Sequence, residues 1–221
     1  MHGCCAKENT VLKLSSTVLL GTLLCAGTSL AHAQNGLDVY LGVSTSRVGA
    51  SNNLIDPLNT GAFSPTNAMG GAFGKAGANF MITPKLGVGA ETDFRFSQGT
   101  YSSNISYRPT FYDFNLVYLP AAHRLKRIVP ELQAGVGGVN LKFYYPQGYC
   151  DSLAGCSSSN TYLESSNHFQ VHLEAGLRIY ATSHLFIRPQ VDAHYVNNFF
   201  QYGSNWVPEY GASVGWSFGE R

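Results

Sequence analysis

From Leu86 to Ser97 the chain reads Leu-Gly-Val-Gly-Ala-Glu-Thr-Asp-Phe-Arg-Phe-Ser. Every even position from 86 to 96 is apolar or threonine, and every odd position is glycine, serine or charged. Side chains alternate faces along a strand, so this segment has one apolar face and one face carrying both signs of charge. About a dozen residues exceeds the usual strand of about five or six. It suits a tilted strand crossing a bilayer, which takes about 9–11 residues. Repeated around a closed ring, the pattern makes an outer-membrane β-barrel.

The N-terminus fits that destination. Lys7 and Lys13 precede the short apolar run Val18–Gly27, and Ala31-His32-Ala33 matches an A-x-A cleavage site. Residues 1–33 therefore read as a secretory signal peptide, too short in its apolar part to span a membrane, and 34–221 as one barrel domain. Cys25 follows Leu24 directly, which does not suit a lipoprotein site. The 14 basic and 13 acidic residues lose Lys7, Lys13 and Glu8 with the signal, which leaves 12 of each. A neutral chain argues against a broad electrostatic grip on nucleic acid. Cys150 and Cys156 remain, an even pair in an exported protein, and read as one disulfide closing a small loop. A metal site there lacks a nearby third ligand; His168 is the closest candidate and falls on a predicted strand.

Alternation predicts eight strands: about 37–48, 70–82, 86–97, 105–119, 129–144, 167–180, 185–196 and 207–219. The long gaps fall after the first, third, fifth and seventh strands and the short ones between, as outer loops and periplasmic turns do in outer-membrane barrels. An even count puts both termini in the periplasm. In the fifth strand the apolar parity slips, from Leu132, Ala134 and Val136 to Val139, Leu141 and Phe143. A β-bulge at Gly137-Gly138 is expected to repair it. The longest loop is expected from Tyr145 to Ser166.

A lipocalin-like barrel would turn its apolar face inward. Against that, the polar face carries Lys75, Glu91, Asp93, Arg95, Asp113, Glu131, Lys142, Glu174, Arg178, Arg188 and Asp192, mostly near strand centres. The apolar face carries Phe80, Phe96, Tyr112, Tyr118, Phe143, Tyr195, Tyr210 and Phe218 near strand ends, as interfacial girdles do. Eight strands enclose a space just wide enough for side chains. The lumen charges, with both signs in similar number, are expected to pair into a plug.

This plan, with the closing segment Tyr210-Gly-Ala-Ser-Val214-Gly-Trp216-Ser-Phe218, resembles the OmpA/OmpX-type outer membrane β-barrel domain proteins. The resemblance covers all of 34–221 and rests on pattern. It implies that Val214, Trp216 and Phe218 are read by the barrel-assembly machinery, although Phe218 is followed here by Gly219-Glu220-Arg221. No peptidoglycan-binding domain follows the barrel, so no cell-wall tether is expected.

The functional expectation is a non-enzymatic envelope-structural or surface-interaction protein. Its partners are outer-membrane lipid, lipopolysaccharide and an extracellular ligand met by the loops. Tyr145, Tyr149, Tyr162, Phe199, Phe200, Tyr202 and Trp206 are the candidate contact residues, aromatics amid small polar ones. The alternatives are a narrow porin-like channel and a lipid A- or phospholipid-modifying enzyme. A His-x-Ser arrangement of the deacylase kind is absent from the sequence around His168, His172, His184 and His194. Ser213 and Ser217 are the remaining conceivable nucleophiles. No cofactor or metal is expected: Gly135-Val-Gly137-Gly138 lacks the spacing and following helix of a nucleotide loop.

Overall fold

The structure, a computed structural model, describes residues 36–219 apart from 57–58, 122–126 and 152–154, with the backbone alone at 149–151 and 155–158. The expected signal peptide, the Tyr149 side chain and the bonding of Cys150 to Cys156 lie outside the described residues.

The elements are β1 Leu37–Val48, β2 Ser51–Ile55, β3 Ser64–Thr66, β4 Met69–Met81, β5 Leu86–Arg95, β6 Gly99–Ser102, β7 Ile105–Tyr118, β8 Ile128–Asp151, β9 Gly155–Tyr180, β10 Leu185–Val196 and β11 Trp206–Phe218. Eight of them close a ring in which each strand pairs antiparallel with its neighbours in sequence: β1, β4, β5, β7, β8, β9, β10 and β11, with β11 returning to β1. Closure leaves no strand edge unpaired within the ring, the condition for a sheet in hydrocarbon. Short turns at 82–85 and 181–184 lie at the end that holds residues 36 and 219. The β2–β3 hairpin and β6, which extends the β7 ladder beyond β5, lie at the other end.

Alternation decides what each face meets. Leu41, Phe114 and Leu116 stand exposed on the outside at 70%, 68% and 68%. Arg178, Arg188 and Lys75 are among the largest fully buried side chains. That inversion of soluble-protein packing defines an exterior made for lipid. Tyr112, Tyr118, Tyr195, Tyr210, Trp216 and Phe218 are exposed on the outer face, as girdle residues are.

The expected bulge does not form. β8 keeps odd residues inward from Val129 to Phe143, and its register against β7 and β9 runs unbroken through Gly137 and Gly138. The register shift comes later, between Phe143 and Tyr144. Gly137 serves a close approach instead: a Cβ there would collide with the Tyr112 carbonyl and Asp113. Val139, Leu141 and Phe143 therefore point into the barrel, and Phe143 is no girdle residue. Lys142 is exposed on the outside, opposite Arg108 of β7, and does not belong to the lumen. What changes along β8 is the polarity of the inward face, not the facing.

The expected loop from Tyr145 to Ser166 is also different. β8 and β9 continue as a ladder from Tyr145↔Thr161 to Asp151↔Gly155, past the last rung that either shares with another barrel strand. Cys150 and Cys156 are partners in this register.

Candidate functional site: a three-tier lumen and an outer hairpin

Inward side chains of the eight barrel strands fill the ring in three tiers. The tier nearest the termini is apolar: Tyr40, Met81, Val117, Leu119, Val129, Tyr180 and Phe186 form one buried cluster. The tier at the outer mouth is apolar and aromatic. It joins Phe73, Tyr107, Phe111, Val139, Leu141, Phe143 and Val196 to Tyr101, Phe199 and Tyr202 from the outer segments. Tyr101 donates to the Gln201 carbonyl at 3.1 Å and packs edge-on against Phe143 and Tyr202. Burial pushes the Tyr101 phenol up to about 12, which keeps it a donor.

Between the tiers lies the charged middle. Arg178 bonds Asp38 and Glu131. Arg188 reaches Glu131 at 3.1 Å, Glu91 at 3.2 Å and Glu174 at 3.3 Å, with its guanidinium 3.9 Å from the Tyr40 ring centroid. Tyr40 donates its hydroxyl to Glu91 at 2.7 Å. Gly77 makes room for this, since a Cβ there would run into the Tyr40 ring. Lys75 stands 2.5 Å from Glu91, 3.1 Å from Asp93 and 3.5 Å from both Asp192 and Glu209. His172 lies between Asp113 at 3.1 Å and Asp192 at 3.3 Å, and stacks on His194 with ring centroids 4.7 Å apart.

Of the expected lumen charges, Lys75, Glu91, Asp93, Asp113, Glu131, Glu174, Arg178, Arg188 and Asp192 meet here. Arg95 turns upward instead. Its guanidinium lies 4.8 Å from the Tyr107 ring centroid, and its Nε and Nη1 make no hydrogen bond. Asp38 and Glu209 join the network and were not among the expected set, although both alternate with outward apolar neighbours (Leu37 and Val39; Pro208 and Tyr210). The two signs are not in similar number. Asp38, Glu91, Asp93, Asp113, Glu131, Glu174, Asp192 and Glu209 are buried around Lys75, Arg178 and Arg188.

The candidate contact residues divide. Tyr145, Tyr162 and Phe200 are exposed. Phe199 and Tyr202 are buried in the outer cap and unavailable to a partner, because the segment after β10 folds into the mouth. Trp206 belongs to β11, stands exposed on the outer wall and packs against Tyr195 at 5.2 Å. Val214, Trp216 and Phe218 all face outward on the strand that closes against β1.

The catalytic alternatives find no assembled triad among the described residues. Ser213 accepts from Arg188 and donates to Gln190, both at 3.2 Å. One serine–histidine contact does form. Ser166 Oγ lies 3.1 Å from His168 Nε2, in Ser-x-His order, so both side chains share the inward face. His168 Nδ1 faces the Asn197 backbone carbonyl, not a carboxylate, and Ser166 Oγ also accepts from Gln201. That arrangement sits at the capped mouth and reads as a structural tie.

A closed eight-stranded barrel, apolar outside and filled within, is the fold of small outer-membrane proteins. Three solved structures are similar. The outer membrane protein OprG from Pseudomonas aeruginosa matches with a TM-score of 0.53 and 13% identity, over 86% of this chain and 98% of that one. Ail, the attachment invasion locus protein of Yersinia pestis, in complex with the heparin analogue sucrose octasulfate, matches with a TM-score of 0.50 and 15% identity, over 84% and 100%. Neisserial surface protein A matches with a TM-score of 0.50 and 11% identity, over 83% and 97%. No protein-family model matches the sequence, and no curated protein matches it.

Proposed function

We propose that this protein is an integral outer-membrane barrel without conductance or catalytic activity, whose filled lumen is structural and whose outer end makes surface contacts. In this reading residues 1–33 direct export, the termini lie in the periplasm, and lipid and lipopolysaccharide surround the wall. The observation that carries the reading is the three-tier filling. A solute would have to pass an aromatic cap, a cross-linked layer of buried ions and a second apolar cap. Leaving one member of a buried ion pair without its partner costs about 3–5 kcal/mol.

A closed lumen moves function to the outer end. The β8–β9 hairpin projects there with Tyr145 and Tyr162 exposed, in a stretch rich in serine and glycine. Rigid aromatics among small polar groups make contact area at low entropic cost. A surface role of the kind that Ail's name describes is compatible with this architecture.

The test pairs two measurements. Barrels reconstituted in planar bilayers should give no steady conductance. Cells displaying the protein should bind to sulfated glycans or matrix proteins in a panel, and deletion of residues 148–159 should abolish that binding while the barrel stays heat-modifiable on gels. Binding that survives the deletion would contradict the contact surface assigned to the hairpin. Steady conductance would contradict the plug.

A further inference from the structure

We propose that Asp93, His194 and Glu209 form a binding site for a first-row divalent cation of the zinc type inside the barrel. Asp93 comes from β5, His194 from β10 and Glu209 from β11. One ligand atom from each lies within 4.8 Å of the other two. All three residues are fully buried.

Asp93 Oδ1 and Glu209 Oε1 share the Lys75 ammonium at 3.1 and 3.5 Å. Asp93 Oδ2 and both ring nitrogens of His194 are buried without a hydrogen-bond partner. Groups of this kind are costly to bury unpaired, and native interiors pair nearly all of them. The neighbouring imidazole is differently placed, with both nitrogens of His172 engaged by Asp113 and Asp192. His194 Nε2 is 3.9 Å from Glu209 Oε2, too far for a hydrogen bond. Two ligands each about 2.0–2.2 Å from a shared zinc ion stand about 3–4 Å apart, which fits that gap.

The charge balance points the same way. The Lys75 ammonium is shared among Glu91, Asp93, Asp192 and Glu209. Glu91 also meets Arg188 and Asp192 also meets His172, whereas Asp93 and Glu209 share the one Lys75 ammonium, which leaves room for a divalent cation. An imidazole nitrogen with two carboxylates is a zinc-type donor set, since calcium and magnesium favour oxygen alone. The His194 ring is held between His172 and Phe111, whose ring centroid is 4.9 Å away. The apolar tiers on either side would trap an ion taken up as the barrel closes, which links binding to folding.

The experiment uses the full barrel, purified from membranes without chelator and, separately, refolded with Zn²⁺, Co²⁺ or EDTA. Elemental analysis should find about one metal ion per chain. The Co²⁺ form should show visible d–d absorption, and Zn²⁺ should raise the unfolding temperature above that in EDTA. Asp93→Asn with Glu209→Gln should lose the metal and the shift while remaining heat-modifiable. A folded wild-type barrel without metal, unfolding at the same temperature in Zn²⁺ and EDTA, would overturn the site. So would full metal retention in a folded double variant. Should the double variant fail to fold, wild-type metal content and the Zn²⁺–EDTA comparison decide alone.

Discussion

The middle of the lumen and its outer mouth use inward positions of the same strands for opposite chemistry. On β8, Glu131 and Gln133 face the ion network, whereas Val139, Leu141 and Phe143, also inward, face an aromatic cap. On β10, Arg188 and Asp192 give way to Val196. The difference teaches that alternation fixes which way a side chain points but not what waits for it. In the middle, charge is held by opposite charge; at the mouth, closure relies on packed rings. The two tiers should therefore fail differently.

The largest effect is expected from Arg188→Met, which leaves Glu91, Glu131 and Glu174 without their shared guanidinium. Stranding buried carboxylates costs about 3–5 kcal/mol. Urea unfolding in detergent or bilayers should show a loss of that size, or no folded band on gels. Phe111→Ala in the cap should cost about 3 kcal/mol by removing a buried ring. It should still give no steady conductance, because the ion layer beneath remains cross-linked; a stable channel in this variant would assign closure to the cap alone.

A gentler test addresses the facing of β8. Cysteine at position 136 should react with a lipid-phase thiol probe and cysteine at 141 should be protected, since Val136 is outward and Leu141 inward. Reaction at both positions would restore the bulge at Gly137-Gly138. The smallest effect is expected from deleting 148–159. Apart from the rung Gln147↔Ser159, the described residues of this segment pair with one another, so barrel stability should change by about 0.5 kcal/mol or less.

Much of the barrel was legible because period-2 alternation survives wherever one face meets lipid. The expected and observed bounds of β1 and β10 coincide, and those of β4, β7 and β11 differ by a residue. Three things were hidden. The upper hairpin carries Pro146, Gly148 and the run Ser157–Asn160, a turn-like composition, because it has no lipid or core face to impose alternation. The cap was misread as a register slip because apolar residues inside a membrane barrel look like apolar residues outside it. Phe199 and Tyr202 were expected at the surface because a loop's inward return is a tertiary event with no local signal. In the lumen, the charged positions were visible, but their imbalance was not. It emerges only when Asp38 and Glu209 join the network and Lys142 and Arg95 leave its ion pairs.

The central claim is that the lumen is closed by its own side chains. Single-channel recording of the wild-type barrel in planar bilayers tests it most directly. The account predicts a flat baseline with no long-lived open level across the voltage range. A steady, solute-sized open state in the unmodified protein would contradict it.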